Sequence, residues 1–106
     1  MRCIEAKENE IIPFGFVGEN CVNKIVFDLS CFHFKIDDSC TVSVLIEKND
    51  SFQEIVLQPI NNTAELIITG ELTEKEGKGE LQLKYQKNNI CELSEIFEFV
   101  VYDSID

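Results

Sequence analysis

The apolar residues of this chain recur at every second position, and that period decides which backbone can bury them. From Thr41 to Lys48, Val42, Val44 and Ile46 alternate with Ser43, Leu45 and Glu47. β-Branched residues dominate the stretch, as a pleated surface prefers. Asn49-Asp50-Ser51 follows as a turn cluster, and Phe52 to Gln58 resumes the alternation until Pro59, so the two segments predict an antiparallel hairpin. A further run, Ala64 to Thr69, stops at Gly70.

The same period returns near the C-terminus. Leu81, Leu83 and Tyr85 alternate with Glu80, Gln82 and Lys84, and Phe97, Phe99 and Val101 alternate with Glu98 in the run Ile96 to Tyr102. Gln86 to Asn89 lies between them as a polar turn, which predicts a second long hairpin. Upstream, Asn23 to Leu29 reads as a strand, and Arg2 to Lys7 and Ile11 to Val17 as weaker ones, the latter marked as an edge or bent piece by Pro13 and Gly15. Thr73-Glu74-Lys75-Glu76 has the spacing of a capping box, so one short helical turn is expected at 73–76. Ser30 to Ser39 lacks periodicity and suits a second helical turn or an irregular crossover. Seven to eight short strands with turns every 8 to 12 residues predict an all-β, immunoglobulin-like antiparallel sandwich, with residues 1–106 as a single domain.

Charge narrows the partners. The chain carries 9 Lys and Arg against 20 Asp and Glu, a net charge of -11, so nucleic acid would be repelled and is not expected as a partner. The acidic residues are dispersed, as on a solvated surface. No apolar run approaches the roughly 18 residues of a membrane helix, so membrane insertion is not expected. The N-terminus, Met-Arg-Cys-Ile-Glu-Ala-Lys-Glu, places charges where a signal peptide needs its apolar stretch, so synthesis in the cytoplasm without a signal peptide is expected. The five cysteines, Cys3, Cys21, Cys31, Cys40 and Cys91, form no C-x-x-C pair. They predict reduced thiols serving as buried or half-buried small hydrophobes rather than a zinc site or a disulfide framework. The Asn-x-Ser/Thr triplets at Asn49 and Asn61 read as turns.

The chemistry-bearing residues are few. His33, the single histidine, lies between Phe32 and Phe34, and core packing is the expectation for it. Cys31, two residues away, would complete a cysteine–histidine dyad, but no third orienting group is in view. Asp37-Asp38-Ser39 reads as a turn, and the calcium-loop pattern is absent, so no metal is expected. Gly77-Lys78-Gly79 lacks the spacing of a phosphate loop and is followed by Glu80. Its glycines are expected at positive φ, turning the chain from the helical turn into the next strand. The expectation is therefore a non-enzymatic protein with no catalytic, cofactor-binding or metal-binding residues and no cofactor.

One set of motifs points further. Gly18-Glu19-Asn20, Ile25-Val26-Phe27-Asp28-Leu29-Ser30, the strand Thr41 to Lys48, the stretch Leu72 to Tyr85 and the closing Phe97-Glu98-Phe99 resemble, in that order, small β-sandwich virion modules of tailed phages and prophages of Gram-positive bacteria. The type resembled is the upper-baseplate or head-fibre module. In that family a Thr-started turn runs through Gly-x-Gly into a strand, followed by a hairpin that ends in alternating aromatics. The resemblance implies a virion structural protein, a capsid decoration, head-fibre or tail- or baseplate-associated subunit, whose partners are other virion proteins. For a homo-oligomer the sequence offers only the general symmetry of virion parts. Such a domain would dock through sheet edges, for which Ile96 to Tyr102 and Arg2 to Lys7 are the candidates, or through apolar patches. The alternative is a module binding carbohydrate or a host surface, which needs exposed aromatics. The aromatics here occupy strand positions that core packing explains.

Overall fold

A computed structural model describes residues 1–105 as a β-sandwich of eight strands. In chain order they are β1 (Arg2–Glu5), β2 (Ile12–Phe16), β3 (Asn23–Asp28), β4 (Thr41–Lys48), β5 (Ser51–Leu57), β6 (Thr63–Ile67), β7 (Gly77–Lys87) and β8 (Ile90–Tyr102). Strands β1-β3-β6 form a three-stranded sheet, and β2-β8-β7-β4-β5 form a five-stranded one. The strands follow from the alternation: Ile25 and Phe27 of β3 and Ala64 and Leu66 of β6 face Val42, Val44, Ile46, Leu81, Leu83 and Tyr85 in one buried core. Each large apolar side chain buried there contributes about 1.5–3 kcal/mol. Phe27 and Phe97 meet edge to face across the two layers, with ring centroids 6.0 Å apart.

Both hairpins close with two residues. Asn49 and Asp50 take φ of 53° and 63° between β4 and β5, and Asn88 takes 53° between β7 and β8. Asparagine and aspartate tolerate that left-handed region, and tight hairpins require it. Asn61, at φ 57°, turns the chain before β6 in the same way. Both Asn-x-Ser/Thr asparagines are thus turn residues.

Four expectations are corrected. The ladders are not all antiparallel: β1 runs parallel to β3 and β2 parallel to β8. The strand between β1 and β3 in sequence belongs to the other sheet, so β1 and β3 are joined by a crossover and not a hairpin. No helical turn forms at 73–76. The Thr73 hydroxyl, instead of capping a helix, is buried and donates to the Glu19 carbonyl at 2.6 Å. Among the described residues the single turn of 3₁₀ helix is Leu29–Cys31, begun by Asp28, whose carboxylate accepts the Ser30 N–H. Of the two glycines expected at positive φ only Gly77 (134°) is. Gly79 lies inside β7, opposite Phe99. Finally, Ile96 to Tyr102 is not an edge: β8 lies between β2 and β7, while β1 is an edge as expected.

Strand β8 is also longer than the sequence suggests. A bulge sets Ser94 and Glu95 against Leu83, since Gln82 pairs with Ile96 and Lys84 with Leu93. The Ser94 hydroxyl accepts the Leu83 N–H at 2.9 Å, and the Gln82 side chain donates to the Ser94 carbonyl at 2.6 Å. The extra residue switches which side chains point inward, so odd-numbered residues face the core after it and even-numbered ones before it.

Gly79 yields a stability prediction. A Cβ there would lie 2.5 Å from the Glu47 carbonyl oxygen and 2.5 Å from the Phe99 ring. The backbone oxygen is fixed by the sheet, so Gly79→Ala should destabilise the fold by about 1–3 kcal/mol, read as a lowered urea midpoint with an unchanged slope.

Candidate interaction surface

One face of the five-stranded sheet is covered by the other sheet, and its opposite face is open to solvent. The ladder register defines what that open face presents. One row runs Phe52–Glu47–Glu80–Glu98 from β5 to β8, and the next runs Glu54–Leu45–Gln82–Ile96. Phe52 and Ile96 are 63% and 57% exposed. Between the two rows lies a groove of about 120 Å³ lined by Leu45, Glu47, Phe52, Glu80, Gln82 and Ile96. Leu45 is half-buried and forms part of its apolar lining.

The groove has a polar neighbour. Ser43, buried although it belongs to the outward set, donates from its hydroxyl to Glu54 at 2.7 Å, and Lys84 approaches the same carboxylate oxygen at 3.7 Å. At the sheet's margin, β5 is unpaired on one side. The closing pair of a two-residue hairpin is hydrogen-bonded, so alternation turns the backbone groups of Phe52, Glu54 and Val56 away from β4. Val56 is also exposed. The opposite margin, β2, is bent by Gly15 at φ 124°, where a Cβ would fall 2.5 Å from Glu19 Oε1. That carboxylate accepts the Phe16 N–H at 2.8 Å and pairs with Arg2 of β1 at 3.2 Å, while buried Asn23 of β3 donates to the Phe14 carbonyl at 3.0 Å. Phe16 and Tyr102, both exposed, stand 5.5 Å apart there.

The segment after the 3₁₀ turn closes the far end of the long hairpin. Phe32 and Phe34 flank Tyr85 with ring centroids 5.7 and 5.6 Å away, and the Tyr85 hydroxyl donates to the Lys35 carbonyl at 3.3 Å. His33 does not pack in that aromatic cluster as expected; its side chain is 86% exposed. Phe32 is buried against Tyr85, while Phe34 stacks on the same ring from a position that stays exposed. The Glu92 carboxylate accepts the His33 backbone N–H at 2.9 Å and lies 2.6 Å from its ring Nδ1. These contacts hold the Glu92 carboxyl below its ordinary range, the backbone hydrogen bond contributing most. Cys31 makes no hydrogen bond to His33 among the described residues, and desolvation of its sulfur pushes its thiol pKa up. A reactive thiolate needs the opposite.

The cysteine expectation is corrected as well. Cys3, Cys21, Cys31 and Cys91 are exposed, and only Cys40 packs half-buried against the core; all five are free thiols. Cys3 sits on the edge strand β1, and Cys91 precedes the β8 bulge on the outward set. A second cleft, lined by Ala6, Glu8, Asp28, Ser30, Ser94 and Glu95 among others, separates the β1–β2 connection from β8. The Glu8 carboxylate across it can accept a hydrogen bond from protonated Glu95 and so raises the pKa of Glu95. No helix among the described residues is long and apolar enough to cross a membrane.

No protein-family model and no curated protein matches the chain. Among solved structures, the N-terminal domain of phage TP901-1 ORF48 is similar, with a TM-score of 0.66 at 12% sequence identity over 95% of this chain and 97% of that one. The two share a fold. At that identity the agreement lies in the arrangement of strands.

The turn Asp37-Asp38-Ser39 supplies a pH prediction. Asp37 Oδ1 accepts the Ser39 hydroxyl at 2.5 Å and its N–H at 2.8 Å, and Lys87 pairs with the other oxygen at 3.2 Å. The Ser39 hydroxyl bond is the larger cause, and together these contacts lower the Asp37 carboxyl to about 2. A depressed folded-state pKa adds stability that is fully present above the ordinary aspartate value and is lost as pH falls through the folded one. Carboxyl NMR should therefore find Asp37 titrating near 2, and Asp37→Asn should flatten the loss of stability between about pH 4 and pH 2.

Proposed function

We propose that this chain is a non-enzymatic structural module of a phage particle that works by docking onto other virion proteins. The observation that carries the reading is the fold shared, over nearly the whole of both chains, with the N-terminal domain of a phage protein. The sequence motifs supply independent support, since they resemble virion modules of tailed phages of Gram-positive bacteria. The surface agrees with a docking role: the five-stranded sheet leaves one face and the β5 margin without a partner among the described residues. The non-enzymatic part rests on the one dyad the sequence offers, in which Cys31 makes no hydrogen bond to His33 among the described residues and burial pushes its thiol away from the reactive form. The particle position we favour is that of the resembled modules, a tail- or baseplate-associated, head-fibre or decoration subunit.

Mass spectrometry of purified particles should find peptides of the chain at a stoichiometry matching a symmetric virion part, and gold-labelled antibody should mark one end of the particle. Label on the tail would assign a baseplate or tail role, and label on the head a decoration or head-fibre role. A chain missing from the particles would refute the structural reading.

A further inference from the structure

We infer that the open face of the five-stranded sheet receives a basic, extended segment of another virion protein, with one apolar side chain of that segment in the groove and its Lys or Arg side chains against Glu47, Glu80 and Glu98. The inference rests on the docking reading above and adds the chemistry of the partner. Two features of one surface carry it.

The first is the groove itself. Phe52 and Ile96 are more than half exposed, with half-buried Leu45 between them on β4, one of the two strands that separate β5 from β8. Its volume, about 120 Å³, has room for a single aliphatic or aromatic side chain and not for a folded domain. The second is the charge beside it. Glu47 pairs with Glu80 and Glu80 with Glu98, so three carboxylates stand in line across β4, β7 and β8. Like charges directly opposite in a sheet are destabilising, and none of the three is in an ion pair among the described residues. Of the neighbouring lysines, Lys48 donates to the Lys75 carbonyl and Lys84 pairs with Glu54, while exposed Lys78, which lines a cleft with Glu47, Glu80 and Glu98, forms no ion pair among the described residues.

Charge complementarity then chooses the occupant. A second copy seated on this face would set glutamates against glutamates in chains that each carry a net charge of -11. A cationic segment relieves the repulsion along the row while its apolar residue covers Phe52 and Ile96. Such an arrangement, an apolar anchor ringed by complementary charge, is how compact docking sites gain both affinity and register.

The probe is a short synthetic peptide alternating lysine with leucine and phenylalanine, titrated into the nitrogen-15-labelled chain. The expected result is a set of shift changes centred on Leu45, Glu47, Phe52, Glu80, Gln82 and Ile96. Phe52→Ser and Glu80→Lys should each weaken binding by about tenfold or more, whereas Glu5→Lys, the same charge change on the other sheet, should alter it by about twofold or less. Both groove positions are exposed, and the backbone spectrum of each variant reports whether the fold is kept. Glu98→Gln serves as the milder replacement for Glu80→Lys. Equal binding of a peptide with glutamate in place of lysine, shifts elsewhere on the surface, an equal loss in Glu5→Lys, or a self-dimer abolished by Phe52→Ser would each overturn the inference. A chain present in particles that ignores the basic peptide overturns this inference alone. A chain absent from particles that binds the peptide overturns the virion reading and keeps the assignment of the surface.

Discussion

The stack of Phe14 on Phe99 above Gly79 is the contact on which the arrangement of the two sheets depends. The two rings lie 4.0 Å apart and 15° from parallel, and the missing Cβ at Gly79 lets Phe99 settle against the strand beneath it. Phe14 belongs to β2, the strand whose chain neighbours β1 and β3 are both in the other sheet. Fixing β2 to β8 therefore ties the chain's first crossing between layers. The polar contacts at Gly15 finish that crossing: Arg2, Asn23 and the 70–73 turn converge on Glu19 and the bulged backbone.

Period two made most strands legible, because one face of each had to be buried and nothing in the local sequence contradicted it. Thr41–Lys48 agrees to the residue, and the turn at Asn49 and Asp50 is where the chain composition places it. What the alternation hid was the first part of β8, where Ser94 and Glu95 break the parity and the inward positions become polar. Residues 73–76 misled for a different reason. A threonine three residues before a glutamate suits a helix start, but the Thr73 hydroxyl found a partner fifty-four residues away, at Glu19, and tertiary geometry took precedence over the local signal.

The candidate surface was less legible than the fold. Phe52, Leu45 and Ile96 each read as ordinary strand residues, and only the ladder register places them beside one another on one face. The same register aligns Glu47, Glu80 and Glu98, which are far apart in sequence and look like dispersed surface charge. Their outward positions could be read from the alternation, but their common row could not. His33 and the cysteines show the converse: aromatic neighbours and typical burial of thiols argued for packing, while edge positions and turns left most of these side chains outside.

The parity switch in β8 gives the long hairpin two independent halves. Beyond the bulge, the strand's inward residues are core, and exchange there is governed by volume. Before it, towards Asn88 and Asn89, the inward residue Glu92 pairs across the ladder with Tyr85 and meets the 32–34 segment, and the outward ones meet solvent. One continuous strand thus joins an interior anchored by Phe97, Phe99 and Val101 to a tip whose outward residues are exposed.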